Sequence, residues 1–121
     1  MPRLVDGLIY VGGSDYRRIS AIDPATGVAR WVTDVRGLTW GSPVVTADTV
    51  FAGTSAQNPA AITHEGGITA LDRATGAVKW RHVVPLAADA DRAGYLGSLV
   101  LADGKIIGAG YDGTVIAFPA R

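Results

Sequence analysis

The sequence has no cysteine, which excludes disulfides, thiolate nucleophiles and cysteine–zinc sites while leaving the compartment open. It is also poor in charge. Charged residues make up 18%, against roughly 25% in an ordinary domain, and 11 basic residues balance 11 acidic ones. No basic stretch is available to follow a nucleic-acid backbone, so nucleic acid is not an expected partner. Glutamate occurs once, as Glu65, which leaves few options for paired-carboxylate chemistry. No apolar run reaches the roughly 18 residues of a membrane span. Nor is a signal peptide read here, because "MPRLVDGLIYVGG" passes almost at once into a strand-like run. Helical periodicity is weak throughout.

What the sequence does contain is repetition. "AIDPATGVARW" spans Ala21 to Trp31, and "ALDRATGAVKW" spans Ala70 to Trp80. Each follows a similar apolar run, "RLVDGLIYVGG" before the first and "PVVTADTVFAG" before the second. A third run, "LVLADGKIIGAG", leads to "GTVIAFPAR", with Ala117 in the place of Ala21 and Ala70. Between these runs stand Gly, Asp, Thr and Pro, so the chain reads as short strands and turns. The first unit predicts strands near 3–5, 8–12, 18–22 and 29–34, the second near 43–46, 49–53, 67–71 and 77–83. The third predicts strands near 98–102, 105–109 and 114–118 and lacks the outer one.

Four strands in 40–50 residues, repeated, are the pattern of a β-propeller blade. The expected fold is therefore all-β, an incomplete arc of about three antiparallel blades within residues 1–121. The blades are expected at about 1–36, 41–84 and 97–121, the last incomplete. "LIYV", "TVFA", "KII" and "TVIAF" are apolar on both faces and call for cover on both sides. Gly12, Gly53 and Gly108 fall in second strands, where small residues let sheets approach closely. In the repeated stretch, Asp23 or Asp72 can accept hydrogen bonds from amides of the turn. Gly27 or Gly76 can take the left-handed conformation that closes it. The Trp four residues later would remove about 150–250 Å² from water once covered.

The pattern Ala-x-Asp-x-x-Thr-Gly-x-x-x-Trp resembles the tryptophan-docking motif of the PQQ-type propeller repeats. It is met at Ala21, Asp23, Thr26, Gly27 and Trp31, and again at Ala70, Asp72, Thr75, Gly76 and Trp80. Kelch repeats share a double-glycine strand like "IYVGG", but space Asp and Trp more closely than the eight residues here. The resemblance implies that Trp31 stacks on the Thr75–Gly76 turn of the next blade. Pro119 stands where a third Asp is expected, so Trp80 has no intact turn to meet. The family includes pyrroloquinoline-quinone dehydrogenases and many non-catalytic relatives. It implies a bacterial periplasmic or cell-surface setting for a full-length form.

Candidate binding residues come from two long connections. "TSAQNPAAITHEGG" and "PLAADADRAGYLGS" fall on the same face of the expected propeller, and long loops on a rigid scaffold are where binding concentrates. The candidates are Gln57, Asn58, His64, Glu65, Asp89, Asp91 and Arg92, with Trp40 from the neighbouring connection. Other motifs fall away. "GAGYDG" has dinucleotide-loop spacing, but a strand follows it where that motif needs a helix. "DADRAG" begins like a calcium loop, yet Ala93 and Val100 replace required oxygen ligands. His82 reads as packing or rim.

These readings favour a non-catalytic scaffold or binding module, expected to be part of a longer propeller. The alternative is a C-terminal fragment of a quinoprotein dehydrogenase. No catalytic, cofactor or metal residue is assigned, and pyrroloquinoline quinone and Ca²⁺ are implied only by the alternative. Expected partners are the remaining blades of the same propeller or a second copy of the chain, with protein partners beyond them.

Overall fold

The computed structural model describes residues 2–13, 16–57, 65–85, 91–95 and 97–120. Among these residues, twelve strands form three antiparallel sheets. The first sheet is β1 (Arg3–Val5), β2 (Leu8–Gly12), β3 (Arg18–Ile22) and β4 (Ala29–Asp34), paired in chain order. The second is β5 (Val44–Val45), β6 (Thr49–Gln57), β7 (Gly66–Asp72) and β8 (Val78–Val84), with β9 (Arg92–Gly94) added to β6. The third is β10 (Val100–Ala102), β11 (Lys105–Ala109) and β12 (Val115–Pro119).

Side-chain alternation sorts the residues into two interfaces. Tyr10, Ala21 and Trp31 lie opposite one another across β2, β3 and β4. They pack against Val50, Ala52 and Leu71 of the second sheet. The other face of the second sheet carries Phe51, Ala70 and Trp80, which pack against the third sheet with Ile106, Ile116 and Phe118. A β-carbon at Gly108 would stand 3.0 Å from both Leu99 and Tyr95, and one at Gly53 would stand 3.4 Å from the same two side chains. These small residues leave room for the connection that enters β10. Gly12 similarly faces Thr39.

The hairpins between β3 and β4 and between β7 and β8 share one construction. The Asp72 carboxylate accepts from the amides of Ala74 at 2.9 Å and Thr75 at 3.0 Å. Asp23 accepts from Ala25 at 2.9 Å. Gly27 and Gly76 have φ of 71° and 78°, which only glycine adopts without strain. The second hairpin also receives the first sheet. Trp31 is 8% exposed, and its Nε1–H donates to the Arg73 carbonyl at 2.9 Å. The Thr33 hydroxyl donates to the Gly76 carbonyl at 2.6 Å. A β-carbon on Gly76 would lie 2.6 Å from the indole, so the ring rests on the glycine itself.

Arg73 fastens the same junction from the other side. Its Nε donates to the Tyr10 hydroxyl at 2.9 Å, its Nη1 to the Thr46 carbonyl at 3.0 Å and its Nη2 to Asp6 at 2.7 Å. The guanidinium also lies 5.7 Å from the Tyr10 ring centroid.

The structure departs from the sequence expectations in four places. β6 runs to Gln57, four residues past the expected end, because β9 gives it a new partner after β7 diverges. The count among the described residues is therefore twelve strands, since β9 lies in a connection read as loop. The inner strands β5 and β10 are shorter than expected. In β12, Val115 is 71% exposed, because only one face of that strand is covered among the described residues. Trp80 packs against Phe51 and Phe118, with ring centroids 6.0 and 5.8 Å away.

Three outcomes test this account. Trp31→Ala is expected to cost about 3–5 kcal/mol in a urea melt, and a loss below about 1 kcal/mol would show that the indole does not hold the sheets. Gly76→Ala should destabilise more than Gly27→Ala. Both positions have positive φ, but among the described residues a β-carbon meets nothing within 4 Å at Gly27 and strikes the indole at Gly76. Equal losses in paired melts would remove the contact from the explanation. The third outcome concerns pH. The Thr75 amide, with its hydroxyl and the Ala74 amide, holds the Asp72 carboxyl below the usual carboxylate range. A lowered folded value stabilises fully above the unfolded value, about 3.9, and is lost as pH falls through the folded one. The gap in urea midpoint between wild type and Asp72→Ala should be present at about pH 7 and narrow at about pH 2.

Candidate functional site

The face carrying the long connections is built around the far end of β6. Thr54 is the last residue of β6 opposite β7, where it pairs with Gly67. Beyond it, Ser55, Ala56 and Gln57 pair with Gly94, Ala93 and Arg92 of β9. Ser55 also exchanges backbone hydrogen bonds with Leu38, at 2.9 and 3.0 Å. One strand thus collects both connections that flank the second sheet.

This arrangement brings some candidate residues together and leaves others apart. Gln57 and Arg92 are direct cross-strand partners, and Asp91 is exposed next to Arg92. Glu65 lies toward the first sheet, where its carboxylate stands 3.6 Å from Arg36. Its amide donates to the Arg36 carbonyl at 2.6 Å. Trp40 is 48% exposed in the β4–β5 connection and lines none of the cavity described next. Asn58, His64 and Asp89 lie outside the described residues.

A cavity of about 670 Å³ opens between the end of β8, β9 and the β11–β12 turn. Its apolar wall includes Val84, Pro85 and Ile116, and its polar groups include Arg92, Tyr111 and Asp112. Tyr95 closes one side and is 2% exposed. Burial pushes the Tyr95 phenol up, and the charge of Asp112 adds to that shift. The Asp112 carboxyl is held below its usual range by the Thr114 hydroxyl at 2.6 Å and amide at 3.0 Å. The Arg92 guanidinium lies over the Tyr111 ring, 5.8 Å from its centroid. The Tyr111 hydroxyl oxygen is buried and has no hydrogen-bond partner among the described residues, a state that costs about 1–3 kcal/mol for a buried polar group.

Tyr111, Asp112 and Tyr95 were not legible as site residues. "GAGYDG" reads as a tight turn, and it is one, with Gly110 donating to the Thr114 carbonyl at 2.9 Å. The available signal was Tyr111 itself, a large aromatic in a turn of otherwise small residues. His82 lines the cavity from β8 and packs on Phe118, with centroids 4.9 Å apart.

The family model described as outer membrane protein assembly factor BamB, a PQQ-like repeat model, matches residues 1–121. The chain belongs to this PQQ-like propeller family. No curated protein matches it significantly. Among solved structures, BamB from Moraxella catarrhalis is similar at a TM-score of 0.71 and 23% identity, covering 98% of this chain and 32% of that one. Quinohemoprotein alcohol dehydrogenase from Comamonas testosteroni is similar at 0.77 and 23% identity, covering 100% of this chain and 19% of that one. The computationally designed Ika4 protein is similar at 0.67 and 15% identity, covering 99% and 64%. The chain thus spans about a third of the BamB structure and about a fifth of the dehydrogenase. At these identities the likeness is one of fold. Among the described residues, no helix is long and apolar enough to cross a membrane.

The dehydrogenase likeness raises the question of quinone and Ca²⁺. A Ca²⁺ ion takes six to eight oxygen ligands, several of them carboxylates. Among the described residues, no three His, Cys, Asp or Glu side chains stand together to hold a metal ion. Asp112, the acidic residue of the cavity, is committed to its own turn through Thr114. Among the described residues no carboxylate cluster offers that ligand set, and no chemical step is derived through the cofactor pair.

Proposed function

We propose that the chain is a segment of a non-catalytic PQQ-like propeller that serves as a scaffold and binding module, of the assembly-factor type. The observation that carries this reading is the match of the BamB family model to all 121 residues. The construction of the loop face supports it. β6 and β9 fix both long connections to a sheet, and the cavity beside them is apolar with a few placed polar groups. That is the composition of a binding pocket. The three sheets are read as blades of a ring, the third lacking its outer strand. The rest of the ring comes from further blades of the same protein or from a second copy. The outer-membrane connection in the family description favours the bacterial periplasm or cell surface.

A second reading, a piece of a quinoprotein dehydrogenase, is favoured by the dehydrogenase's TM-score of 0.77 over the whole chain. The two separate experimentally. A photo-crosslinking residue placed at Gln57 or Trp40, in the chain as its own cell expresses it, is expected to capture a discrete protein partner. The same residue at Asp103, on the β10–β11 turn, should capture none. Saturable binding of pyrroloquinoline quinone with Ca²⁺, together with dye-linked alcohol oxidation, would overturn the scaffold reading in favour of the enzyme.

A further inference from the structure

The two ends of the arc carry the two halves of the contact that the chain makes in its middle. At each internal junction the front of one sheet meets the back of the next. The front row of the first sheet is Arg3, Tyr10, Ala21 and Trp31. The back row that receives it is Val45, Val50, Leu71 and Val78, and Tyr10, Ala21, Val50 and Leu71 are buried together. The corresponding rows at the ends are open. The front row of the third sheet is Val100, Ile107 and Ala117, and Val115 beside it is 71% exposed. The back row of the first sheet is Leu4, Ile9, Ile22 and Ala29, and Leu4 is 68% exposed. Among the described residues neither row joins a packed core cluster, and neither contains a charge. The hairpin on the same side is open as well, since a β-carbon on Gly27 meets nothing within 4 Å. Contiguous exposed apolar surface of this kind marks a contact.

Residue chemistry says what covers it. At the first junction the Tyr10 hydroxyl of the front row accepts from the Arg73 Nε at 2.9 Å. At the second, Phe51 replaces the tyrosine, Ala120 holds the place of Arg73, and both join one apolar cluster. At the open ends Ile107 stands for Tyr10, and Pro24 stands for Arg73. The front that lacks a hydroxyl is thus matched by a back that lacks an arginine, and one chain carries both. We infer that the chain pairs head to tail with a second copy, the third sheet of each lying on the first sheet of the other. Ile107 and Ala117 of one copy face Ile9 and Ile22 of the other. Such a contact is heterologous, and it gives a ring where the rotation closes. Two copies of three sheets make six blades, within the usual range of about 4–8, and three copies would exceed it. The inference rests on reading the sheets as blades of a ring, and it names what completes that ring.

The test is the solution mass of the chain by light scattering, from about 1 μM to about 100 μM. A chain of 12.5 kDa is expected to form a dimer of twice that mass. Leu4→Arg and Ala117→Arg place a charge on opposite ends of the arc. Each should return the mass to that of a single copy. Each should also leave the far-UV circular dichroism unchanged, because both side chains are exposed within one copy. A dimer that survives both substitutions would overturn the inference, since its contact would lie elsewhere. A dimer lost with only one of them would overturn it too, because one patch would then be meeting its own copy. A mass that keeps growing with concentration would show that the contact does not close. A single-copy mass for the unaltered chain would overturn the pairing and assign both open faces to further blades of the same protein. In that case discrete crosslinks from Gln57 and Trp40 would leave the scaffold reading standing, and their absence would bring that reading down as well.

Discussion

The fold depends on one contact, the seat of Trp31 on the turn that joins β7 to β8. A tight hairpin aims carbonyls outward, and those left without partners need either solvent or a donor. The first sheet supplies donors to two of them, the Trp31 indole to Arg73 and the Thr33 hydroxyl to Gly76. Because both donors project from alternate residues of one strand, the contact fixes position along the strand as well as distance. Hydrophobic faces alone do not do this, since apolar packing is non-directional. The buried set of Tyr10, Ala21, Val50, Ala52 and Leu71 supplies attraction, and the indole and its turn set the alignment.

The second junction obeys the same geometry with different chemistry. Trp80 projects from the equivalent strand, but the third sheet offers Phe118 followed by Pro119 where a carboxylate-capped turn would stand. The aromatic cluster of Phe51, Trp80, Phe118 and His82 takes over, with neighbouring centroids between 4.9 and 6.0 Å apart. Tyr95 and Leu99, which arrive from the long connection, fill the space left by Gly53 and Gly108. A connection read as a loop of the binding face is therefore part of the core, and the same Tyr95 borders the cavity.

Much of this was legible in the sequence because turns punctuate it. The four strands of the first sheet lie where Asp-Gly and Ala-Thr-Gly delimit them, at 3–5, 8–12, 18–22 and 29–34. The propeller assignment followed from the repeat and its motif. The strand β9 was not legible, because "RAG" has no strand propensity of its own. It forms because the end of β6 offers an open edge once β7 turns away. Gln57 and Arg92 were identified as candidates from loop length, but their pairing is tertiary and leaves no local trace. The same holds for Tyr111, whose significance depends on a guanidinium 19 positions earlier in the chain.

Arg73 carries a further consequence. Units that look alike can dock in the wrong order, a known hazard of repeated architectures. The position after the hairpin Asp is Pro24 in the first copy and Arg73 in the second. The residues that occupy the place of Tyr10 in the other two sheets, Phe51 and Ile107, have no hydroxyl to receive the Arg73 Nε. A partly buried guanidinium set against either would lose a partner that only the first sheet provides. The arginine thus acts as an address. It makes one neighbour correct among three similar sheets, and so helps write the order of the arc into a repeat that would otherwise leave it ambiguous.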